Sequence, residues 1–347
     1  MNLFEYHRPS TIAEAVAAWQ PGAAYLGGGT NLVDLMKIGV AQPSKLIDIS
    51  RLPDLGRIET LPDGAVRIGA LVRNADLAHH PELARSFPIV AEALLAGASA
   101  QVRNMATIGG NLMQGTRCPY FQDSYSDCNR RVPGSGCAAL GGVNGSMAIL
   151  GWSDACIATN PSDLAVALAA LGAVVETVGR KGRRGIPFDE FYRLPGATPE
   201  KDTQLEAGEL IVAVSLPAAA AAFRHHARYL KVRERTSFAF ALASAAAALR
   251  IDDGRIVEAR LALGGVAARP WRVAAAEAVM AGRPPATELF ARAAAILLDG
   301  ARPSGENRYK IELARRTTIR ALTMAAAGTP SRVPALPASP FGESHDA

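Results

Sequence analysis

All four cysteines of the chain, Cys118, Cys128, Cys137 and Cys156, fall within residues 118–156. Cysteines kept for packing behave as small buried hydrophobes and should scatter along a chain. Their confinement predicts that the sulfurs meet at one place. The stretches around them, Arg117–Asp123 and Pro133–Cys137, carry neither a helical nor a strand period and read as one long loop. A long structureless loop in a compact domain is usually functional or disordered. Four thiolates gathered in a loop can hold a metal centre. The spacing is Cys-x9-Cys-x8-Cys-x18-Cys, which lacks the C-x2–4-C pair of structural zinc sites and the run of bacterial ferredoxins. His7, His79, His80, His225, His226 and His345 form no zinc spacing. Isolated cysteines on a wandering loop suit a cubane-like iron–sulfur cluster better than one zinc ion, and spacing alone leaves both open. Disulfides belong to oxidising compartments and small domains, and this chain shows no export signal of its own.

Two glycine-rich stretches are the other candidates. Gly27-Gly28-Gly29-Thr30-Asn31 follows the short strand Ala24-Tyr25-Leu26. Glycines after a strand let the backbone approach a phosphate, and successive N–H groups form an anion nest. Leu32 stands where a dinucleotide fingerprint needs its third glycine, and no Gly-Lys-Ser/Thr follows, so neither a Rossmann nor a Walker A loop is present. A plain Gly-rich turn explains this stretch alone equally well. Thr107-Ile108-Gly109-Gly110-Asn111 repeats its chemistry, and two such loops predict a grip on a diphosphate from both sides. Gly134-x-Gly136-x-x-Ala139 also fits a G-x-G-x-x-A pattern but follows no buried strand, so it is set aside. Asn160-Pro161-Ser162-Asp163 reads as a helix start, with Asn160 as N-cap and Pro161 at the first position. Asp163 then either adds negative charge to the first turn or hydrogen-bonds a ligand hydroxyl. Lys231 and Arg233 should share one strand face, as solvated charges or as partners of an electron-rich ring.

The elements must position these groups. At 347 residues, 49% hydrophobic and 20% charged, the chain should fold as two or three domains. Thr11-Ile12-Ala13-Glu14 fits a capping box opening a helix that Pro21-Gly22 stops, and a second strand lies at Lys45–Ile49. Helices are expected at Leu32–Lys37, over Phe87–Ala100, and around Ala274–Ala281, Thr287–Leu297 and Tyr309–Ala327. Met147–Leu150, Ala173–Val178, Leu210–Pro217, Tyr229–Arg233 and Arg255–Leu263 read as strands. Phe238–Leu249 is a helix or a buried strand. The net charge of +5 is spread along the chain, and its densest run, Arg180-Lys181-Gly182-Arg183-Arg184, fits a turn between two strands rather than a nucleic-acid patch. No stretch is long enough to span a bilayer, and the N-terminus has no signal-peptide pattern. A cytoplasmic location is expected, with export alongside a signal-bearing partner as the alternative.

Taken together, Leu26–Leu32, Ala106–Leu112, Pro161-Ser162-Asp163, Tyr229–Arg233, Gly264–Ala267 and Asn307–Lys310 resemble the FAD-binding subunit of the molybdenum hydroxylases, the xanthine dehydrogenase and aldehyde oxidase family. The resemblance implies an α+β chain: a two-subdomain FAD-binding PCMH-type (vanillyl-alcohol oxidase-like) fold plus a C-terminal α/β domain of the CO dehydrogenase flavoprotein type. The units expected are 1–54, 55–220 with the cysteine loop at 113–158, 221–328, and a flexible tail at 329–347. FAD is then expected against Leu26, Gly27, Gly28, Gly29, Thr30, Asn31, Leu32, Val33 and Asp34 of the first loop. Thr107, Gly110 and Asn111 of the second loop, Asp163 and Lys231 complete that set. Asn31 stands where the family commonly has Asp. The cysteine loop is similar to that of [4Fe–4S]-containing aldehyde oxidoreductases, which implies that Cys118, Cys128, Cys137 and Cys156 ligate a [4Fe–4S] cluster. No catalytic acid–base residue is implied. The implied partners are a molybdenum-cofactor large subunit, a [2Fe–2S] small subunit and an external electron acceptor, with Tyr120, Phe121 and Tyr125 facing a partner. The alternatives are the flavoprotein subunit of a 4-hydroxybenzoyl-CoA reductase and a zinc-stapled ligand-binding module.

Overall fold

The computed structural model describes residues 1–334 and 336–339. Its strands form three sheets. The first is parallel, in the order β1 (Glu5–His7), β3 (Lys45–Asp48), β2 (Ala23–Leu26). The crossover helix Ile12–Ala17 starts as its sequence dictates, with Thr11 Oγ1 accepting the Glu14 N–H at 3.1 Å. The Glu14 carboxylate turns one residue further back than a capping box requires and takes the Ser10 N–H and hydroxyl. Ala15 and Val16 then pack with Ile47, Leu210 and Val212, which joins this sheet to the next.

The second sheet is antiparallel, in the order β4 (Ile58–Thr60), β5 (Val66–Gly69), β8 (Leu210–Leu216), β6 (Val174–Gly179), β7 (Gly182–Pro187). Arg180 and Lys181 form the turn of the β6–β7 hairpin, as the basic run suggested. The third sheet runs β11 (Arg255–Gly264), β10 (Ala243–Asp252), β9 (Ala227–Val232), all antiparallel.

The helix Asp163–Leu171 is buried at every residue from Leu164 to Leu171. It shares a core with Ala246, Ala248 and Ala262 of the third sheet. On the other face of that sheet, Ala245, Ala247 and Leu249 pack with helices Thr287–Leu297 and Tyr309–Ala327. Alanine lets the layers approach closely. At Gly264 even a methyl group would not fit, since an added Cβ would lie 2.4 Å from Val166 Cγ2.

The structure corrects several expectations. Phe238–Leu249 divides into a loop up to Leu242 and the strand β10. Met147–Leu150 is buried but joins no sheet; Ile149 and Leu150 instead donate to the Val266 carbonyl. Phe87–Ala100 breaks at Gly97 and Ala98, the latter at φ +53°, leaving helices Pro88–Ala96 and Ala100–Arg103. The helix N-cap is Ser162, whose hydroxyl accepts the Ala165 N–H, while Asn160 bonds the Ser162 N–H. Within residues 329–347, Thr329 and Ala338 bond to β9 and the residue run before it. Thr329 donates its N–H to His225, and the Lys231 N–H reaches the Ala338 carbonyl. Ala335 and residues 340–347 lie outside the described residues.

Candidate cofactor site

The two glycine loops lie back to back. A Cβ added at Gly28 would sit 1.9 Å from the Met105 carbonyl oxygen, and one at Gly27 would sit 3.2 Å from Thr107 Oγ1. No side chain fits at the first position, so glycine there is a condition of the contact. Gly29 has φ +75°, in the left-handed region that glycine enters without steric cost. Thr107 caps the helix Ile108–Leu112 by accepting the Gly110 N–H at 3.2 Å. Asn111 Oδ1 accepts from the Ser162 hydroxyl at 2.7 Å and from Gln114 at 2.8 Å. Asn31 Oδ1 accepts the Gly115 N–H at 2.9 Å, and its buried Nδ2 has no partner.

A cleft of about 900 Å³ opens beside this junction. Gly29, Thr30, Asn31, Val33, Asp34, Gly110, Asn111, Asp163 and Lys231 line it. Leu26, Gly27, Gly28, Leu32 and Thr107 do not. Gly27, Gly28 and Thr107 instead hold the loops together, and the Leu26 carbonyl accepts from Ile49. A second concavity, of about 610 Å³ and lined by Arg184, Arg193 and Arg269 among others, contains none of these residues.

Lys231 is a buried residue, not a solvated one. Its Nζ donates to Asp163 Oδ2 at 2.7 Å and to the Ala96 carbonyl at 3.2 Å. Arg233 Nη1 reaches the same carbonyl at 2.8 Å. Asp163 Oδ1 accepts from the Tyr229 hydroxyl at 2.5 Å. Burial, with the Asp163 charge beside it, pushes the Tyr229 phenol far above its ordinary value, so Tyr229 stays a donor. Asp163 thus already holds one protein partner on each oxygen.

Sequence reasoning missed Arg117 and the 234–242 loop, which also line the cleft. The Arg117 guanidinium stacks 4.9 Å over the Phe240 ring and meets Asp34 at 3.4 Å, while its buried Nε has no partner. The signals were present in the sequence: an arginine beside the first cysteine, and two aromatics, Phe238 and Phe240, in an otherwise polar and small-residue run.

All four cysteines line one small cavity, together with Tyr120, Phe121 and Arg130. Cys128 and Cys137 face each other across a single antiparallel bridge. Arg131 folds the loop by donating to the carbonyls of Tyr120 at 3.0 Å, Phe121 at 2.8 Å and Ser126. No disulfide forms; Cys118, Cys128 and Cys156 are buried and Cys137 is half-buried. Burial pushes the Cys118 thiol up to about 11 and raises that of Cys137. Cys118 lines the large cleft as well, so the two cavities share a wall. Tyr120 and Phe121 are half-buried. Phe121 packs on the cysteine cluster, and the Tyr120 hydroxyl accepts the Val143 N–H at 2.6 Å. Tyr125 is 95% exposed.

A cleft of about 900 Å³ bordered by residues of both glycine-rich loops, with Asn31 and Arg117 each carrying a buried unpartnered donor in its wall, fits a flavin–adenine cofactor and defines a flavoprotein. Residues 2–219 match the family described as "FAD binding domain in molybdopterin dehydrogenase", and residues 228–325 match the "CO dehydrogenase flavoprotein C-terminal domain". The chain is 49% identical to the aldehyde oxidoreductase FAD-binding subunit PaoB of Escherichia coli K12, over 94% of this chain and 99% of that one. It is 29% identical to the carbon monoxide dehydrogenase medium chain of Afipia carboxidovorans, over 93% and 97%. The structure of reconstituted CO dehydrogenase from Oligotropha carboxidovorans superposes with a TM-score of 0.75 at 27% identity, over 94% of this chain and 99% of that one. The chain belongs to the FAD-binding medium subunits of the molybdenum hydroxylase family and is an FAD-dependent oxidoreductase subunit. Among the described residues no helix is long and apolar enough to cross a membrane.

Proposed function

We propose that this chain is the FAD- and [4Fe–4S]-carrying subunit of a heteromeric molybdenum-dependent aldehyde oxidoreductase. It would work beside a molybdenum-cofactor large subunit and a [2Fe–2S] small subunit and deliver electrons to an external acceptor. The observation that carries the FAD reading is the back-to-back junction of the glycine loops under the cleft. The aldehyde class is supported by the near-full-length relationship to the E. coli subunit.

The flavin supplies the two-electron chemistry; the chain supplies its place. Backbone N–H groups of the Gly27–Asn31 loop would hold the diphosphate, while those of Ile108–Asn111, bonded to Val72, Ala70 and Thr107, fix the second loop against the first. The Asn31 amide and the Arg117 guanidinium offer the further donors that the buried, unpartnered atoms imply. Lys231, fixed by Asp163 and Ala96, adds a positive charge to the cleft wall. The 234–242 loop, with Phe238 and Phe240, contributes apolar side chains to the cleft wall.

Four cysteines around one cavity suit a [4Fe–4S] cluster, which needs four thiolates. Among the described residues no three His, Cys, Asp or Glu side chains are placed to hold a metal ion, so the cluster reading rests on the four cysteines lining one cavity. Iron, acid-labile sulfide and flavin per chain test the whole reading. About four irons and one FAD are expected from cubane ligation. Zinc without sulfide would remove the cluster, and absence of flavin absorbance would remove the reading altogether. Turnover of aromatic or aliphatic aldehydes by the assembled complex tests the substrate class.

A further inference from the structure

We propose that Arg130 is a positioning residue for the cysteine-held centre: braced from behind by Asp202, it gives an N–H to the Cys156 sulfur and makes the centre easier to reduce. The inference rests on the cluster reading above and concerns this chain's own residues.

Arg130 follows Cys128 by two positions in the loop. Its side chain is only 7% exposed. Nε donates to Cys156 Sγ at 3.4 Å, and Nη1 forms an ion pair with Asp202 on the segment after Tyr192. Among the described residues lining the cysteine cavity, Arg130 is the one cation and Asp127 the one carboxylate. Cys156 Sγ also receives the Ala158 N–H at 3.5 Å, so two donors converge on a single ligand sulfur.

The physical consequence has a sign. A thiolate-ligated cluster is negatively charged, and reduction adds one electron to it. A fixed buried cation and an N–H···S bond stabilise the more negative state more, so both raise the reduction potential. Asp202, 48% exposed on its side chain, has two opposed effects. It orients the guanidinium and partly offsets its charge. The arginine fork serves both partners at once from Nε and Nη, which a lysine point charge cannot reproduce.

The test uses the complex purified with its partner subunits. Iron and sulfide are counted, and the cluster midpoint is then read by redox titration of its own EPR signal, with the flavin midpoint as an internal control. Arg130→Gln should shift the cluster midpoint to more negative values. Arg130→Lys should shift it less, and Asp202→Asn, whose amide oxygen still accepts from Nη1 while the negative charge is gone, should shift it in the opposite direction. The flavin midpoint should hold in all three. Should Arg130→Gln lose its iron, the Lys and Asn variants, which keep a cation in place, still carry the sign test. Full iron content with an unmoved cluster midpoint in all three would overturn the role of Arg130 and leave the cluster reading standing. A wild-type complex without iron or sulfide would overturn both.

Discussion

A methyl group at residue 28 has nowhere to go, because the atom it would meet is the Met105 backbone carbonyl and not a movable side chain. Gly28→Ala must therefore push the two loops apart. Overpacking of this kind costs about 1–3 kcal/mol, and the displacement falls on the loop proposed to cradle the diphosphate. The expected outcome is a folded subunit with a lowered melting temperature and little bound flavin, read from the visible spectrum. The Asp163–Lys231 pair makes a second residue-scale prediction. Breaking a buried pair from one side costs about 3–5 kcal/mol, because an uncompensated charge remains. Lys231→Met should lose about that much in denaturant titration, and Asp163→Asn with Lys231→Met together should lose less than the sum of the two. The sequence revealed one of these features and hid the other. The loops were legible because glycines beside Thr and Asn are a local signature. The pairing of Lys231 with Asp163 was not, because alternation on a strand shows which face a residue takes but not whether that face is solvated. Asn160 and Ser162 were both competent caps; the choice fell to Ser162, whose hydroxyl also reaches Asn111 from another element.

Elements show the same division between local and tertiary causes. The Phe238–Leu249 run could not be resolved because β10 is buried on both faces, with Ala246 and Ala248 in one core and Ala245 and Ala247 in another. A strand buried on both faces loses its period-two pattern. The basic hairpin, exposed on its turn, was legible because charge and glycine sit where only a turn can hold them. Its anchor is Glu209, just before β8. The carboxylate accepts from Arg184 Nε and Nη2 on β7, both at 2.6 Å, from the Thr177 hydroxyl on β6, and from the Glu206 N–H at 2.8 Å. Burial opposes its charge, but Arg184 and Thr177 prevail and hold the carboxyl down at about 2. A folded value below the ordinary 4.5 means that the unfolded chain binds the proton first as pH falls. The stabilisation is therefore full above about 4.5 and drains away as pH drops toward about 2. Glu209→Gln should cost roughly 1.5–3 kcal/mol near neutrality, the range for hydrogen bonds to charged groups. The gap between variant and wild-type urea midpoints should narrow as the titration is repeated below pH 4.5.

At the scale of the whole molecule, the cleft and the cysteine cavity form one construction. Cys118 stands in the wall of both, and Arg117 beside it reaches Asp34, another residue of the cleft lining. The return limb of the loop is clamped separately. Lys310 Nζ, fully buried, donates to the carbonyls of Ser146 at 2.7 Å, Met147 at 2.8 Å and Gly265 at 2.7 Å. Ser146 and Met147 also line the cleft. The stretch between Cys118 and Met147 holds only a single helical turn at Pro119–Gln122 and a 3-10 turn at Ala138–Gly141. Little regular backbone structure holds it in shape, and ligation of four sulfurs would supply what is lacking. On the proposed cluster reading, removing iron should loosen the Arg117–Cys118 wall first, because Lys310 keeps the other limb in place. The expected result is that chelating the iron from the subunit weakens FAD binding by roughly tenfold, about 1.4 kcal/mol, in a fluorescence titration of the deflavinated protein. Arg117→Ala should weaken FAD in the iron-loaded chain and add little once iron is gone, since both changes act on the same wall. Equal FAD affinity with and without iron would show instead that the glycine loops bind the cofactor independently of the cysteine loop.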